Sequence, residues 1–408
     1  MAAHEGLSPI TPTSFKENQK VKRKDTEKID IELKTRWLYT SALTLIIANH
    51  IIDQVSSNIG IEPLPTFFFV AVGLFLLVLR VFCIALYCQV KQVLMSSVII
   101  ALSIGSWLLS GQNYLFVATF LLLGIGNLPI RNLLKVVSAT ILLLVSFLGL
   151  LQLFQFVFTG DLPGVTSRED GRLRLSFFFQ HPNMLAAYIS MAYIGLSLSN
   201  KDFKAGMALL GIALAVVSMW VTDSRTAGLI MVLYIILRLS VHVWTRFGSI
   251  LKLVYVGVPF LLVVLVVLVS MALVPDSLYN ALQTALTGRP AFWEFQYQQL
   301  GGFTLLGQHA LSGTIMVDGW TYYNVTIDCF YAAALLSLGS WSLVVFYALY
   351  IRIGNFSFRK RDWGVAIAIF CCMLYGLAEI HMIDFSVALP MLIMGEKLFC
   401  PKSEVIEK

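Results

Sequence analysis

Long, unbroken apolar runs are the sequence feature that most constrains the fold of this chain. Examples are residues 67–79, 141–151 and 261–269. With 58% hydrophobic and 13% charged residues over 408 positions, the chain carries more apolar side chain than a water-soluble protein of this size can cover. A bilayer accommodates such runs, at about 20 apolar residues per spanning helix. The runs are continuous rather than alternating, so they predict helices and not a transmembrane barrel.

The apolar runs predict an all-α, polytopic membrane protein with about twelve transmembrane helices. Residues 1–36 are polar and are expected to form a cytoplasmic tail, 37–397 the transmembrane domain, and 398–408 a second cytoplasmic tail. The run 323–351 is too long for one simple span, so we expect it to cross the membrane only after Gly339. The predicted spans are 37–54, 64–87, 93–110, 113–127, 136–157, 177–198, 204–221, 226–244, 252–274, 323–351, 363–379 and 383–397.

The distribution of basic residues orients these helices. Cytoplasmic loops of membrane proteins are enriched in Lys and Arg. Placing both termini inside leaves only five of the 29 basic residues outside, and all five are arginines. Topology therefore accounts for the net charge of +6, and no nucleic-acid partner is predicted. Arg80, within an apolar run, is expected to extend to the cytoplasmic surface.

The outer arginines are the strongest candidates for function. Arginine binds phosphate through two parallel hydrogen bonds, and topology disfavours positive charge on the outer side. We therefore interpret Arg174, Arg225 and Arg289 as a site for an anionic group such as a lipid diphosphate. Arg172 is a further candidate, although ordinary loop charge or a neighbouring carboxylate explains it equally well. Three of these residues lie in the two long outer loops, 158–176 and 275–322.

Polar residues at predicted helix starts lie close to these arginines in the sequence. His181 and Asn183 flank Pro182, which is a natural residue for the first turn of a helix. Either helix capping or anion binding explains this trio. Asp328 begins the tenth apolar segment, where a carboxylate is unfavourable unless it is paired or functional. It could accept a proton from a substrate, or it could simply bond to a neighbour.

Two further features suggest substrate contacts. Trp293 and several tyrosines of loop 275–322 could stack on sugar faces, and the loop is expected to fold as short amphipathic pieces. Glu379, His381 and Asp384 cluster in the last outer turn. They could support the site, or they could form a plain solvated turn. No metal-ligand spacing, phosphate-binding glycine loop or dinucleotide fingerprint is present, so no metal or cofactor is predicted.

Taken in order, these motifs resemble the O-antigen ligase and polysaccharide polymerase family of bacterial inner-membrane proteins. The resemblance covers about residues 130–400 and depends on the order of its pieces. These are Arg174 with Pro182 and Asn183, Ser224 with Arg225, Gly288 with Arg289 and Trp293, Asp328 with Tyr331 and Gly339, and Glu379.

The resemblance implies a fold and an activity. Family members resemble the multi-helix (GT-C-like) membrane glycosyltransferases and act at the outer face of the bacterial cytoplasmic membrane. They transfer a glycan from undecaprenyl diphosphate to an acceptor hydroxyl, without a metal or a nucleotide sugar. A flippase and a chain-length regulator are the protein partners that such a role implies.

Departures from the family pattern favour one activity within it. Ligases carry a His-Asn pair where this chain has Asp328 and Cys329. The family often has glycine at the position of Phe177. A polymerase of capsular polysaccharide, exopolysaccharide or O-antigen is therefore expected rather than a ligase that uses a lipid A core. A ligase with another acceptor is the first alternative. A lipid-linked glycan flippase is the second and a non-catalytic scaffold the third, but no internal repeat typical of transporters is visible.

Overall fold

The computed structural model describes residues 31, 33–59, 66–160, 165–167, 171, 173–200, 203–317, 320–396 and 398. These residues form fifteen α-helices, four short strands and two 3-10 helices. The helices are α1 (Arg36–Ile59), α2 (Thr66–Ala85), α3 (Val90–Ser110), α4 (Tyr114–Ile125), α5 (Ile130–Thr159), α6 (Pro182–Leu198), α7 (Ala205–Trp220), α8 (Arg225–Leu239), α9 (Val241–Arg246), α10 (Gly248–Ser270), α11 (Asp276–Ala285), α12 (Arg289–Leu300), α13 (Phe330–Leu336), α14 (Ser340–Lys360) and α15 (Trp363–Tyr375). The strands are β1 (Val165–Ser167), β2 (Leu173–Leu175), β3 (Gly313–Val317) and β4 (Trp320–Val325), and the 3-10 helices are Ile380–Ile383 and Leu389–Gly395.

The helices confirm that the chain is an all-α membrane protein. Among the described residues, five helices are long and apolar enough to cross a membrane, namely α2, α3, α5, α10 and α14. Only 22–44% of their most apolar windows is buried within the protein. Apolar side chains that the protein does not cover are unfavourable in water but are solvated by lipid tails. Helices α4, α7 and α15 are also apolar but shorter. The predicted number of twelve spans stays a prediction.

Helix α6 lies at the centre of the bundle. Nearly all of its side chains are buried, including Tyr188 and Tyr193. It packs against α5, α7, α8 and the second 3-10 helix. Small residues permit the close approach of its neighbours, since a Cβ atom at Gly211 of α7 would overlap the Tyr193 ring. The N-terminus of this central helix carries the predicted His-Pro-Asn motif, so the fold holds that motif rigidly.

The last predicted spans differ from the structure. The run 323–351 is divided among β4, α13 and α14, and the break at Gly339 agrees with the predicted start of the crossing part. The predicted span 383–397 forms a turn and a 3-10 helix over its described residues, 383–396, instead of a continuous α-helix. Its side chains from Met391 to Met394 are fully buried. Burial against neighbouring helices allows non-helical backbone at such a depth.

Arg80 also differs from its prediction. Its side chain is fully buried, and it does not extend to a surface. The Nε atom donates to the carbonyl oxygen of Gly124 at 3.2 Å, and Nη1 donates to Thr35 Oγ1. A guanidinium group that bonds to backbone and hydroxyl oxygens avoids much of the desolvation penalty of burial.

The described part of the long loop, 275–317 and 320–322, is folded into short elements, as predicted. Helix α11 is amphipathic and has no buried residue, and α12 follows it directly. The coil after α12 runs beside the α13–α14 break, where Gln308 N donates to Ser337 O at 2.8 Å and Ser340 N donates to Thr304 O at 2.9 Å. Strands β3 and β4 then form an antiparallel hairpin.

Replacing Gly339 with alanine is expected to destabilise the protein by more than about 2 kcal/mol. Its φ of +97° is unfavourable for any residue with a Cβ atom, and that atom would overlap the backbone of Leu305 and Leu306. The apparent melting temperature of the purified protein in detergent measures the effect. Gly105→Ala in α3 is the matched control, because open space surrounds its Cβ position. Equal melting temperatures for the two variants would contradict this account of the α13–α14 break.

Candidate functional site

The N-terminus of α6 organises one side of the candidate site. His181 is the N-cap residue, and its Nδ1 atom accepts a hydrogen bond from Asn183 N at 3.1 Å. Pro182 occupies the first helical position, where its missing N–H is not needed. The Asn183 side chain accepts a hydrogen bond from Arg174 Nη2. His181 therefore caps the helix, and Asn183 positions an arginine.

Arg174 is held in place by two elements. It lies in β2, which pairs with β1, and it is 8% exposed. Its Nε atom donates to the Thr222 carbonyl oxygen at 2.8 Å, and the backbone N of Leu175 donates to Val221 O at 2.8 Å. The loop between α7 and α8 therefore fixes the Arg174 guanidinium beside the start of α6.

Arg225 lies on the rim of this region. It is the first residue of α8, and its side chain is 60% exposed. The Nε atom lies 4.0 Å from Asp223 Oδ1, in a turn where Asp223 has a φ of +50°. The Ser224 side chain makes no capping bond to α8. Arg225 thus follows Thr222, whose carbonyl oxygen orients Arg174, by three residues. The Arg225 side chain itself is exposed to solvent.

Arg289 is the centre of the charged cluster. It begins α12, directly after Gly288, whose φ is +84°. Its Nε atom lies 3.8 Å from Asp328 Oδ2, and its Nη2 atom lies 3.7 Å from Glu379 Oε1. The side chains of Arg289 and Glu379 are 15% and 5% exposed, whereas that of Asp328 is 46% exposed. The fold therefore brings together three predicted site residues from distant parts of the sequence.

Burial dominates the electrostatics of Glu379, which lies beyond the last residue of α15. Burial raises the pKa of its carboxyl from near 4.5 to about 8, although Arg289 opposes the shift. The attraction does not prevail because the 3.7 Å contact is long and Asp328 shares the same guanidinium. Glu379 is therefore largely protonated at neutral pH, and the positive charge of Arg289 is not fully neutralised by it.

Arg174 and Arg289 both affect the pKa values of His181 and Glu379. Burial lowers the pKa of His181, and the positive charges of Arg174 and Arg289 lower it further. Both arginines also favour the ionised form of Glu379. Such shared interactions place Arg174, His181, Arg289, Asp328 and Glu379 in one electrostatic neighbourhood.

One predicted site residue does not join this cluster. Trp293 is fully buried in the core, so its ring presents no open face to a sugar in this conformation. Its position on α12, four residues after Arg289, instead anchors that helix. Arg172 lies outside the described residues.

A cavity of about 270 Å³ adjoins the cluster. His381 connects the two, because it lines the cavity and its Nε2 atom lies 3.8 Å from Glu379 Oε2. Inside the cavity, His50 Nδ1 lies 2.8 Å from Asp384 Oδ2 and 3.1 Å from Ser386 Oγ. Ser386 Oγ also donates to Asp384 Oδ1 at 2.6 Å. Other polar lining residues are Asn49, Asp53, Gln54, Asn113 and Tyr114.

Sequence reasoning did not predict the His50 cluster. His50 and Asp384 belong to α1 and to the turn between the 3-10 helices, at opposite ends of the chain. Each residue alone resembles an ordinary polar residue at a helix end. The only available sequence signal was that Asp384 lies close to Glu379.

The apolar helices and the buried helical core define the class of this chain as an all-α membrane protein. Comparison with family models, curated proteins and solved structures gives no match. No group of three or more His, Cys, Asp or Glu side chains suited to a metal ion occurs in the described part of the chain.

Proposed function

We propose that the chain is a polysaccharide polymerase that joins undecaprenyl-diphosphate-linked repeat units at the outer face of the bacterial cytoplasmic membrane. The observation that carries the proposal is the cluster of Arg289 with Asp328 and Glu379 beside Arg174. It combines groups able to bind a diphosphate with a carboxylate able to accept a proton. The family resemblance of the ordered motifs is the second support.

Positive charge would act on the leaving group. When the glycosyl bond to the lipid diphosphate breaks, negative charge grows on the bridging phosphate oxygen. Preorganised cations stabilise that charge most effectively where water is excluded. Arg289 and Arg174 are both mostly buried and are fixed by neighbours, so little reorganisation is required. Arg225, on the exposed rim, would bind the outer part of the carrier headgroup.

Asp328 would orient and deprotonate the acceptor hydroxyl. It is the most exposed carboxylate of the cluster, and its Oδ2 atom lies 3.8 Å from Arg289 Nε. Attack from the side opposite the diphosphate would invert the anomeric carbon. His181 is the rival base, but its Nδ1 lone pair already accepts the capping bond from Asn183 N, so in the neutral ring Nε2 carries the proton. His181 would have to give up its capping bond to accept a proton, which favours Asp328 as the base.

The backbone at Phe177 adds a point in favour of the family resemblance. The family often has glycine there, and Phe177 has a φ of +48°. This left-handed conformation is the one in which glycine is favoured over other residues. The following residue, Phe178, also has a positive φ, of 67°. Both lie between β2 and α6, in the segment that connects Arg174 to the His181 cap.

The proposal is tested with purified full-length protein in detergent. The substrate is the lipid-linked repeat unit extracted from membranes of the source bacterium, supplied without ATP or an ion gradient. We expect a ladder of longer lipid-linked glycans on a gel. Transfer to a different acceptor without a ladder would favour a ligase. Movement of the intact lipid across proteoliposomes, with no new glycosyl bond, would overturn the proposal in favour of a flippase.

A further inference from the structure

A second polar cleft lies at the end of the bundle opposite the candidate active site. Its volume is about 600 Å³, and it opens between the ends of α5, α6, α8, α14 and α15. On α8, Arg225 belongs to the candidate active site and Arg238 lines this cleft, thirteen residues later. At 1.5 Å per residue, the two positions are about 20 Å apart along the helix axis. The cleft is therefore a separate place on the molecule.

Arg238 is the buried cation of the cleft. Arg238 is only 5% exposed. Nη2 donates to the Asn200 carbonyl oxygen at 3.2 Å, and the guanidinium lies over the Phe203 ring, 5.2 Å from its centroid. The Nε atom is buried and has no hydrogen-bond partner. Within the described ranges, no carboxylate lies within ion-pair distance of this arginine.

Glycine makes room for this guanidinium. A Cβ atom at Gly364, in the first turn of α15, would overlap Arg238 Nη1. The neighbouring Trp363 and Phe203 also line the cleft and provide apolar walls. The guanidinium is thus held between an aromatic ring and a helix backbone, and its position is fixed before any ligand arrives.

The other lining charges are mostly positive. Lys360 and Arg361 are exposed at the end of α14, and Arg131 forms an ion pair with Asp362. The described lining therefore holds four cations and one carboxylate. Simple topological charge does not account for Arg238, because basic residues that only orient a helix normally extend into water. A buried cation with an unused donor is unfavourable unless an anion completes its coordination.

We propose that this cleft binds the phosphate group of an anionic lipid headgroup. Arg238 would donate from Nε to a phosphate oxygen, and Lys360 and Arg361 would contribute charge at the mouth. Basic pockets between transmembrane helices bind such headgroups in other membrane proteins. Free inorganic phosphate shares the same chemistry and serves as the comparison ligand. The proposal does not depend on glycan transfer, because none of these residues belongs to the candidate active site.

The test uses delipidated, full-length protein in a neutral detergent. Phosphatidylglycerol, phosphatidylcholine and inorganic phosphate are titrated separately, and the apparent melting temperature is followed. We expect phosphatidylglycerol to stabilise the wild type and phosphatidylcholine to have little effect. In Arg238→Gln, the apparent dissociation constant for phosphatidylglycerol should rise about tenfold, which corresponds to one lost charge-assisted bond. In Lys360→Gln, it should rise severalfold.

Lys135→Gln is the matched control, because Lys135 is an exposed basic residue of α5 that does not line the cleft. It should bind phosphatidylglycerol as the wild type does. If Arg238→Gln does not fold, Lys360→Gln decides the question, since its side chain is exposed. If inorganic phosphate stabilises the wild type but not the two cleft variants, the ligand of the cleft is a soluble phosphate and not a lipid headgroup. Equal responses to both lipids, or unchanged binding in both cleft variants, would overturn the proposal.

Discussion

Replacing Arg289 with alanine is expected to lower the rate of lipid-linked chain extension by about 100- to 1000-fold, the typical effect of removing one preorganised group that stabilises developing charge. Arg289 contacts both Asp328 and Glu379 and is only 15% exposed. Its loss would leave the diphosphate without its central cation and Asp328 without its positive neighbour. The rate of ladder formation with the purified variant measures the effect.

Two further variants make this result specific. Arg289→Lys keeps the charge but not the planar pair of donors, so it should recover only part of the activity. Arg359→Ala removes an exposed arginine from the last turn of α14 and should leave the rate unchanged. Melting temperatures show whether each variant is folded. Wild-type ladders from folded Arg289→Ala protein would remove the arginine from the mechanism.

The arginines are expected to contribute unequally. Arg174 is bonded to Thr222 and Asn183, so part of its donor capacity orients the site itself. Arg289 makes only long contacts with its carboxylates and bonds to Leu286 O and Thr287 Oγ1 at its own helix start. It can therefore bind a phosphate close to its present position with less loss of existing bonds. Arg225, at 60% exposure, acts in a high dielectric and should matter least.

Much of the helical framework was predictable because lipid imposes a simple pattern. A helix in a bilayer must be apolar over its whole length, so runs such as those of α3, α5 and α10 are visible in the sequence. The start of α6 was predictable as well, because Pro182 is compatible with only a few helix positions. These signals depend only on residues that are neighbours in the sequence, so a single sequence is enough to detect them.

Features that depend on neighbours were not predictable. The segment 383–397 is as apolar as a spanning helix, but its buried part Leu389–Gly395 folds as a 3-10 helix. Arg80 has the sequence context of a residue that extends to the surface. Its side chain is nevertheless buried, and its Nε atom donates to a carbonyl oxygen of α4. Trp293 has the composition of a sugar-binding residue and is a core residue. In each case tertiary contacts overrode the local preference.

The ion pairs of the candidate site were predictable only in part. The sequence identified Arg289, Asp328 and Glu379 separately, because charges beside apolar helices are conspicuous. Asp328 lies between β4 and α13, and Glu379 lies in the turn after α15. Those two connections bring the carboxylates to the N-terminus of α12. The contacts of His50 were missed for the same reason, since Asp384 and Ser386 are far from it in the sequence.

The stability of the protein is expected to fall as the pH rises from 6 to 9, and Glu379 should be a main cause. Burial raises the pKa of Glu379 to about 8 in the folded protein, above its ordinary value near 4.5. The folded state therefore binds more protons than the unfolded state between these values, and the stabilisation is complete below about pH 4.5 and lost as the pH passes 8. The apparent melting temperature should drop by on the order of 5 °C over this range.

Glu379→Gln isolates this contribution, because the amide keeps the shape of the protonated carboxyl and does not ionise. The variant should show a flatter dependence of melting temperature on pH than the wild type. Glu294→Gln is the matched control, since Glu294 is a partly exposed carboxylate of α12 that accepts a hydrogen bond from Gln298 at 3.1 Å. Its pH profile should follow that of the wild type. If Glu379→Gln also retained the full wild-type slope, Glu379 would be ionised at neutral pH, and Arg289 would already be neutralised before a diphosphate could bind.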